Sequence, residues 1–295
     1  IRYKGGLLVN QGWKDSRDGI PTEEGTPTKP SIALVEVQGY AYKALMDAAS
    51  LNLTSLNPKM LEKEAKALKR RFNKDFWCNG FYALALDGNN VPSKVVSSNM
   101  GHLLFTGIAE HQKEIADRLF KEDMFSGWGI RTLSSNEKAY NPFSYHNGSI
   151  WPHDNALILK GMKCYGFRSA FIKVIKGIFE ATMRMDDLRL PELFCGFRKT
   201  HFDEPVPYPV ACSPQAWSSS FFFLVLQSML GLEPDARNRL IYVNNPFLPP
   251  WVEEIKLKGL RLGDARLDLL FRQEGEATSF SVLKKRGDIG VVMKE

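Results

Sequence analysis

Apolar positions along the chain follow a helical period as far as about residue 230, and a period of two in the last stretch. The helical pattern is plainest over 58–75. There Leu61, Ala65, Leu68 and Phe72 recur at spacings of 4, 3 and 4 between Lys and Glu, which predicts an amphipathic helix with one buried face. Pro30 suits a helix start, so a further helix is expected from Pro30-Ser31 to about Leu51. Others are predicted at about 97–107, 109–121, 149–165, 167–184 and 213–230. In the helix at 167–184, Phe171, Val174, Ile175, Ile178, Phe179 and Thr182 form the inner side. FWCNGFYALALDGNN reads as a short hairpin or extended insert. Residues 1–28, 124–148 and 186–212 are loops broken by Gly and Pro. After the proline-rich turn NNPFLPPWVEE, the runs EIKLKGL, ARLDLLF and SFSVLKK alternate as strands, so a small antiparallel sheet is expected over 253–295. The fold class is therefore mainly α, with a helical region over 1–240 and a β segment over 241–295.

Composition narrows the classes without choosing among them. The chain has 295 residues, 44% hydrophobic and 24% charged, which excludes disorder, collagen-like repeats and a small disulfide scaffold. The net charge of +6 is mild, and Lys and Arg are spread rather than blocked, so no nucleic-acid partner is expected. Cys78, Cys164, Cys195 and Cys212 form no CxxC pair, which points to free thiols in a reducing compartment and a cytoplasmic location. The longest uncharged stretch, Pro205 to Leu232, is too polar for a membrane span, and no signal peptide heads the chain.

Long ordered loops are usually functional, and several here carry Trp, His, Asn and carboxylates together. That mixture suits a sugar: aromatic faces stack on pyranose rings while carboxylates and amides bind hydroxyls. In Asn10-Gln11-Gly12-Trp13-Lys14-Asp15-Ser16, a carboxyl beside an indole is partly desolvated and becomes a usable general acid, although Asp-Ser before a turn is also a common Asx turn. Glu36 and Tyr40 lie four apart among apolar residues, where a buried Glu is either paired or functional. The densest cluster runs from Asn141 to Asn155 and holds Tyr145, His146, Asn147, Trp151, His153 and Asp154. A metal on His146, His153 and Asp154 lacks any standard ligand spacing, and Ser149 with Pro152 and Asp154 also reads as a helix start capped by Ser149. Glu192 follows a proline between Leu and Phe in a loop, where a carboxylate is either exposed or reactive. Ser213 and Pro214 suit the start of the last helix, and Gln215 and Trp217 either reach a site or pack. Cys212 lacks a base partner for nucleophilic chemistry.

Seven segments in order, NQGWKDS, ALVEVQGY, SNMGHLLFTGI, SYHNGSIWPHDNALI, PELFCGF, ACSPQAWS and NPFLPPWVEE, resemble the catalytic region of amylo-α-1,6-glucosidase and glycogen-debranching-type glycoside hydrolases. The resemblance implies an (α/α)6 barrel of twelve helices in two rings, with the active-site loops at one end. It implies inverting hydrolysis of α-glucosidic bonds in an oligosaccharide or polysaccharide, with Asp15 as general acid and Glu192 as general base. Trp13, Glu36, Gln38, Tyr40, His102, Tyr145, His146, Asn147, Trp151, Asp154 and Trp217 would shape the glycone pocket. No metal or organic cofactor is required. In that family the GWKDS-like segment follows several barrel helices, so the roughly seven helices expected here imply an incomplete barrel. The missing N-terminal part of the same protein, or a second copy, is then expected as a partner. Two rival readings stand beside this one: a non-catalytic carbohydrate-binding module, and an (α/α)-barrel sugar isomerase or epimerase with His102, His146 or His153 as acid and base.

Overall fold

The computed structural model describes residues 1–51 and 55–294. The chain separates into two compact units, Ile1–Phe221 and Phe222–Glu295.

In the first unit, β1 (Ala33–Leu34) leads directly into α1 (Val35–Leu51), and α2 (Pro58–Phe76) follows. The expected helix from Pro30 therefore begins five residues later, because Ile32 to Leu34 pair instead with neighbouring backbone. The amphipathic pattern of α2 is realised: Asn57 caps it by accepting from Met60 N–H, Pro58 takes the first position, and Ala65, Phe72 and Phe76 are buried. The aromatic-rich segment does form a hairpin. It supplies β2 (Ala85–Leu86), which pairs with β3 (Pro92–Ser93) just beyond the segment and with β1 in a three-stranded sheet. A 3-10 turn at Ser98–His102 runs into α3 (Leu103–Thr106), and α4 (Gln112–Leu119) follows.

After the long loop come α5 (Pro152–Cys164), α6 (Arg168–Thr182) and the single turn α7 (Ala216–Ser219). The start of α5 is set by Pro152, and Trp151 is its N-cap. Ser149 does not cap it, because its hydroxyl donates to Tyr145 O at 2.7 Å. Phe171, Val174, Ile178 and Thr182 of α6 are buried as expected, but Phe179 is 44% exposed. Packing runs from α2 to α1, from α1 to α3, from α3 to α5 and from α5 to α6. The α3–α5 contact needs a glycine: a Cβ on Gly161 would stand 2.3 Å from Leu104 Cβ and 2.7 Å from Phe105 N. The single helix expected over 213–230 is broken. Gln215 rather than Ser213 precedes α7, and α8 (Phe221–Met229) starts separately.

The second unit holds β4 (Leu232–Asp235), β5 (Leu240–Asn244), β6 (Glu254–Leu262), β7 (Ala265–Glu274), β8 (Ala277–Arg286) and β9 (Gly290–Lys294). β6, β7 and β8 form an antiparallel meander, joined by two-residue turns that open on Gly263 and Gly275 with positive φ. The antiparallel sheet expected over 253–295 stops there. β9 leaves it and pairs parallel with β5, in a second sheet ordered β4-β5-β9. With eight helices among the described residues, two of them four residues long, and three small sheets, the chain is helical with substantial β structure rather than mainly α. No helix among the described residues is long and apolar enough to cross a membrane.

Candidate active site

The segment from Asn10 to Ser16 has no regular structure, and side chains hold it instead. Buried Asn10 donates from Nδ2 to Ser16 O at 2.7 Å and accepts the Tyr3 hydroxyl at 2.9 Å. Asn147 Nδ2 donates to Asp18 O at 2.7 Å. At Gly12 the backbone comes so close to the start of α1 that a Cβ would lie 2.2 Å from Leu34 Cδ1 and 3.3 Å from Glu36 Oε1. Three consecutive side chains then part. The Trp13 ring meets His102, His146, Trp151 and His153, with centroids 5.0 to 6.1 Å away. Lys14 is fully buried, and Asp15 is exposed. The expectation that the indole would desolvate Asp15 is not met, because Trp13 packs against the histidines and Trp151 instead.

Behind Trp13 lies a buried group of charged residues. Lys14 Nζ donates to Thr132 O at 2.7 Å and sits 5.2 Å from the Trp13 ring centre. Burial pulls its pKa down from 10.5 to about 8, against the attraction of Asp154 and Glu36. Asp154, in the first turn of α5, is also completely buried. Burial alone would raise its pKa, but the bond from His102 Nε2 at 2.8 Å, with the nearby charge of Lys14, holds the carboxyl below its ordinary value. The positive end of the α5 dipole acts in the same sense. His102 Nδ1 lies 2.6 Å from the Tyr40 hydroxyl, so Tyr40, His102 and Asp154 form one chain of hydrogen bonds between α1 and α5. Glu36 is different. It is 1% exposed, neither oxygen makes a well-formed hydrogen bond, and burial pushes its carboxyl up against the weaker pull of its own backbone N–H, His102, the Asn99 amide and Lys14.

The other wall comes from the segment 145–154. His146 Nδ1 faces Ser16, with the hydroxyl at 2.8 Å and the backbone N–H at 3.4 Å, so Nδ1 accepts and Nε2 carries the ring proton. His153 lies flat on Trp217, with centroids 3.4 Å apart. Burial holds both histidines down to about 3, so both are neutral at pH 7. Trp151 is 2% exposed and donates from Nε1 to Tyr145 O at 2.8 Å. Half-buried Glu192 accepts the Tyr145 hydroxyl at 2.7 Å and Gln215 Nε2 at 3.1 Å on one oxygen, and Cys212 N–H at 3.4 Å on the other. Burial and the Glu192 bond push the Tyr145 hydroxyl up, and the charge of Asp15 adds to the shift. The Tyr145 hydroxyl thus stands in the field of both carboxylates, although they are far apart in sequence.

Buried polar atoms are nearly always hydrogen-bonded, because an unmade bond costs about 1–3 kcal/mol. Here Trp13 Nε1, both Glu36 oxygens, both Asn99 amide atoms, His146 Nε2, both His153 nitrogens and Asp154 Oδ2 have no partner. The group mixes donors and acceptors beside aromatic rings, a combination that suits the hydroxyls and apolar face of a sugar. Most of the residues expected from sequence meet here, while Trp217 is 46% exposed at the edge. Gln38 does not contribute its amide, because that group is bonded to Ile1 and Leu34. Lys14, Asn99 and His153 join the pocket beyond the residues that the resemblance implies. Only the WPHD run at the start of α5 flags His153, and nothing local marks Lys14 as buried. Among the described residues, no three His, Cys, Asp or Glu side chains are arranged to hold a metal ion.

Comparison with known proteins gives a family. No curated protein sequence matches the chain. A solved structure described as a sialidase superposes with a TM-score of 0.70 at 15% identity, covering 93% of this chain and 27% of that one. The GH78 rhamnosidase of Bacillus sp. GL1 gives 0.65 at 16% identity, covering 97% and 28%. The GH63 mannosylglycerate hydrolase of Thermus thermophilus, in complex with glucose, gives 0.52 at 20% identity, covering 66% and 45%. The chain therefore spans less than half the length of each of these structures, and the likeness is one of fold. The profile of the mannosylglycerate hydrolase MGH1-like glycoside hydrolase domain matches residues 9–198, which contain both carboxylates and most of the pocket, so the chain belongs to that family.

Proposed function

We propose that the chain carries the catalytic site of an inverting glycoside hydrolase acting on α-glucosidic bonds. The observation that carries this reading is the ring of unpartnered buried donors and acceptors around Trp13, beside two carboxylates that share the field of Tyr145. In it, Asp15 protonates the glycosidic oxygen as the leaving group departs. Glu192, oriented by Tyr145 and Gln215, takes a proton from the water that attacks the opposite face of the sugar. The two carboxyl groups then need to stand roughly 6.5–9.5 Å apart to leave room for that water. Trp13, His146, His153, Glu36 and Asp154 bind the hydroxyls of the glycone. The helices of the first unit are part of an (α/α)6 barrel, and more of the same polypeptide or a second copy supplies the rest.

A debranching specificity for α-1,6 bonds rests on the resemblance of short segments alone. The family's own description favours a second substrate, a small mannosyl glycerate. The isomerase reading loses ground, because two of its candidate histidines, His146 and His153, are neutral at pH 7 and too weakly basic to exchange protons there.

The purified chain should be tested on α-glucosides, glycogen limit dextrin and mannosyl glycerate, with the released anomer followed by NMR. Release of the inverted sugar is expected, with Asp15→Asn and Glu192→Gln each lowering turnover about 10²–10⁴-fold while leaving sugar binding in place. Release of the retained anomer, or full activity in Asp15→Asn, refutes the mechanism. Sugar binding without turnover by the folded chain would favour the binding-module reading.

A further inference from the structure

The outer face of the β6-β7-β8 meander carries a row of closely spaced cations. Register puts Arg266 directly opposite Arg261 on one side and Arg286 on the other, and places Lys284 opposite Asp268. All four cations are exposed, and none makes an ion pair or hydrogen bond among the described residues. Arg266, Asp268, Lys284, Arg286 and Gly259 line one open hollow of about 130 Å³. The single carboxylate there is partly engaged, because Asp268 Oδ1 accepts Gly259 N–H at 2.7 Å.

This arrangement cannot be relieved by slipping the strands. The opposite face of β7 buries Ala265, Leu267, Leu269 and Phe271, so a one-residue shift would expose that core. Like charges held directly opposite one another destabilise a sheet, and this one holds three in a line. Strands lie about 4.8 Å apart, so the row is about 10 Å long. Guanidinium forks match the two oxygens of a carboxylate or sulfate better than they match any neutral group. The face has no aromatic side chain: β6 contains none, and Phe280 of β8 is paired with Phe271 on the buried side. Stacking of single-stranded bases is therefore not supported.

We propose that this face binds the carboxylate or sulfate groups of an acidic polysaccharide, at a site built from the second unit alone. The oxyanion chemistry stands on the sheet alone. That the anions are carried on a glycan rests on the proposed glycoside hydrolase function.

The test is retention of the whole chain on immobilised polygalacturonate at low salt, compared with neutral dextran. The double variant Arg266→Ser/Arg286→Ser is set against Lys59→Ser/Lys63→Ser, which removes the same charge from exposed positions on α2. Wild type and the α2 variant should be retained on polygalacturonate alone, and the sheet variant should bind at least tenfold more weakly. The sheet variant should melt no lower than wild type, because it relieves repulsion, and it should keep full turnover of any neutral substrate. That last readout separates failure of this proposal from failure of the catalytic reading. Absence of retention, or equal loss in both variants, overturns the site. Tighter retention on duplex DNA, or complete displacement by inorganic sulfate at equal charge, overturns the polysaccharide.

Discussion

Lys14 offers a sharp test of the electrostatics of the pocket. The side chain is completely buried, and its pKa falls from 10.5 to about 8. At about 1.36 kcal/mol per pH unit, that fall means the buried ammonium costs about 3 kcal/mol relative to the neutral amine. Below pH 8 both folded and unfolded chains carry the proton, and the cost is present in full. Between pH 8 and 10.5 the unfolded chain binds more protons than the folded one, so stability rises with pH and the cost fades. Tyrosines and the N-terminus titrate nearby, so the informative quantity is a difference between wild type and Lys14→Met. Urea unfolding should be followed at intervals from pH 7 to 10. The wild type should gain on Lys14→Met by about 1.4 kcal/mol per pH unit in the middle of that window. At pH 7 the variant should also lose the bond to Thr132, worth about 1.5–3 kcal/mol for a charged donor. A difference that stays flat from pH 7 to 10 would show that Lys14 keeps an ordinary pKa, and the account of how Asp154 is compensated would fail with it.

Two further outcomes follow from the same geometry. Burial raises the folded-state pKa of Glu36 above the unfolded value of 4.5, so wild-type stability should decline as pH rises through that value. Glu36→Gln cannot ionise and should not show the decline, so the two proteins should match near pH 4 and diverge towards pH 7 in denaturant titrations. Gly161→Ala should cost about 1–3 kcal/mol or more in the same assay, because its Cβ would collide with Leu104 and Phe105 across the α3–α5 contact.

Legible in the sequence is what local chemistry decides. The spacing of Ala65 and Phe72, Pro58 at a helix start, and the glycines of the strand turns each act over a few residues. The pocket is legible as a population of side chains, since Trp, His, Asn and carboxylates in long loops have few other uses. Partnership is not legible. Nothing near Gln38 announces that its amide is bonded to Ile1, and Lys14 differs from the other lysines only through Thr132, Asp154 and Glu36, all remote in sequence. The indole two residues away does not shield Asp15, because long-range packing holds it against His102, His146, Trp151 and His153. The parallel pairing of β9 with β5 is likewise a long-range choice that alternation within each strand does not specify.

Thr132 works as a junction. Its carbonyl accepts both Lys14 Nζ and Ser98 N–H, its hydroxyl accepts Gly148 N–H and donates to Ser149 O, and its own N–H goes to the same Ser149 O. Three segments that each bring side chains to the pocket are thereby fastened to one buried residue. Substitutions in one of them should then be non-additive with substitutions in another, with coupling energies of about 0.5–3 kcal/mol in double-mutant cycles. For anyone redesigning sugar preference, these loops are not interchangeable modules. A loop grafted from a relative would have to arrive with its attachment to residue 132 intact.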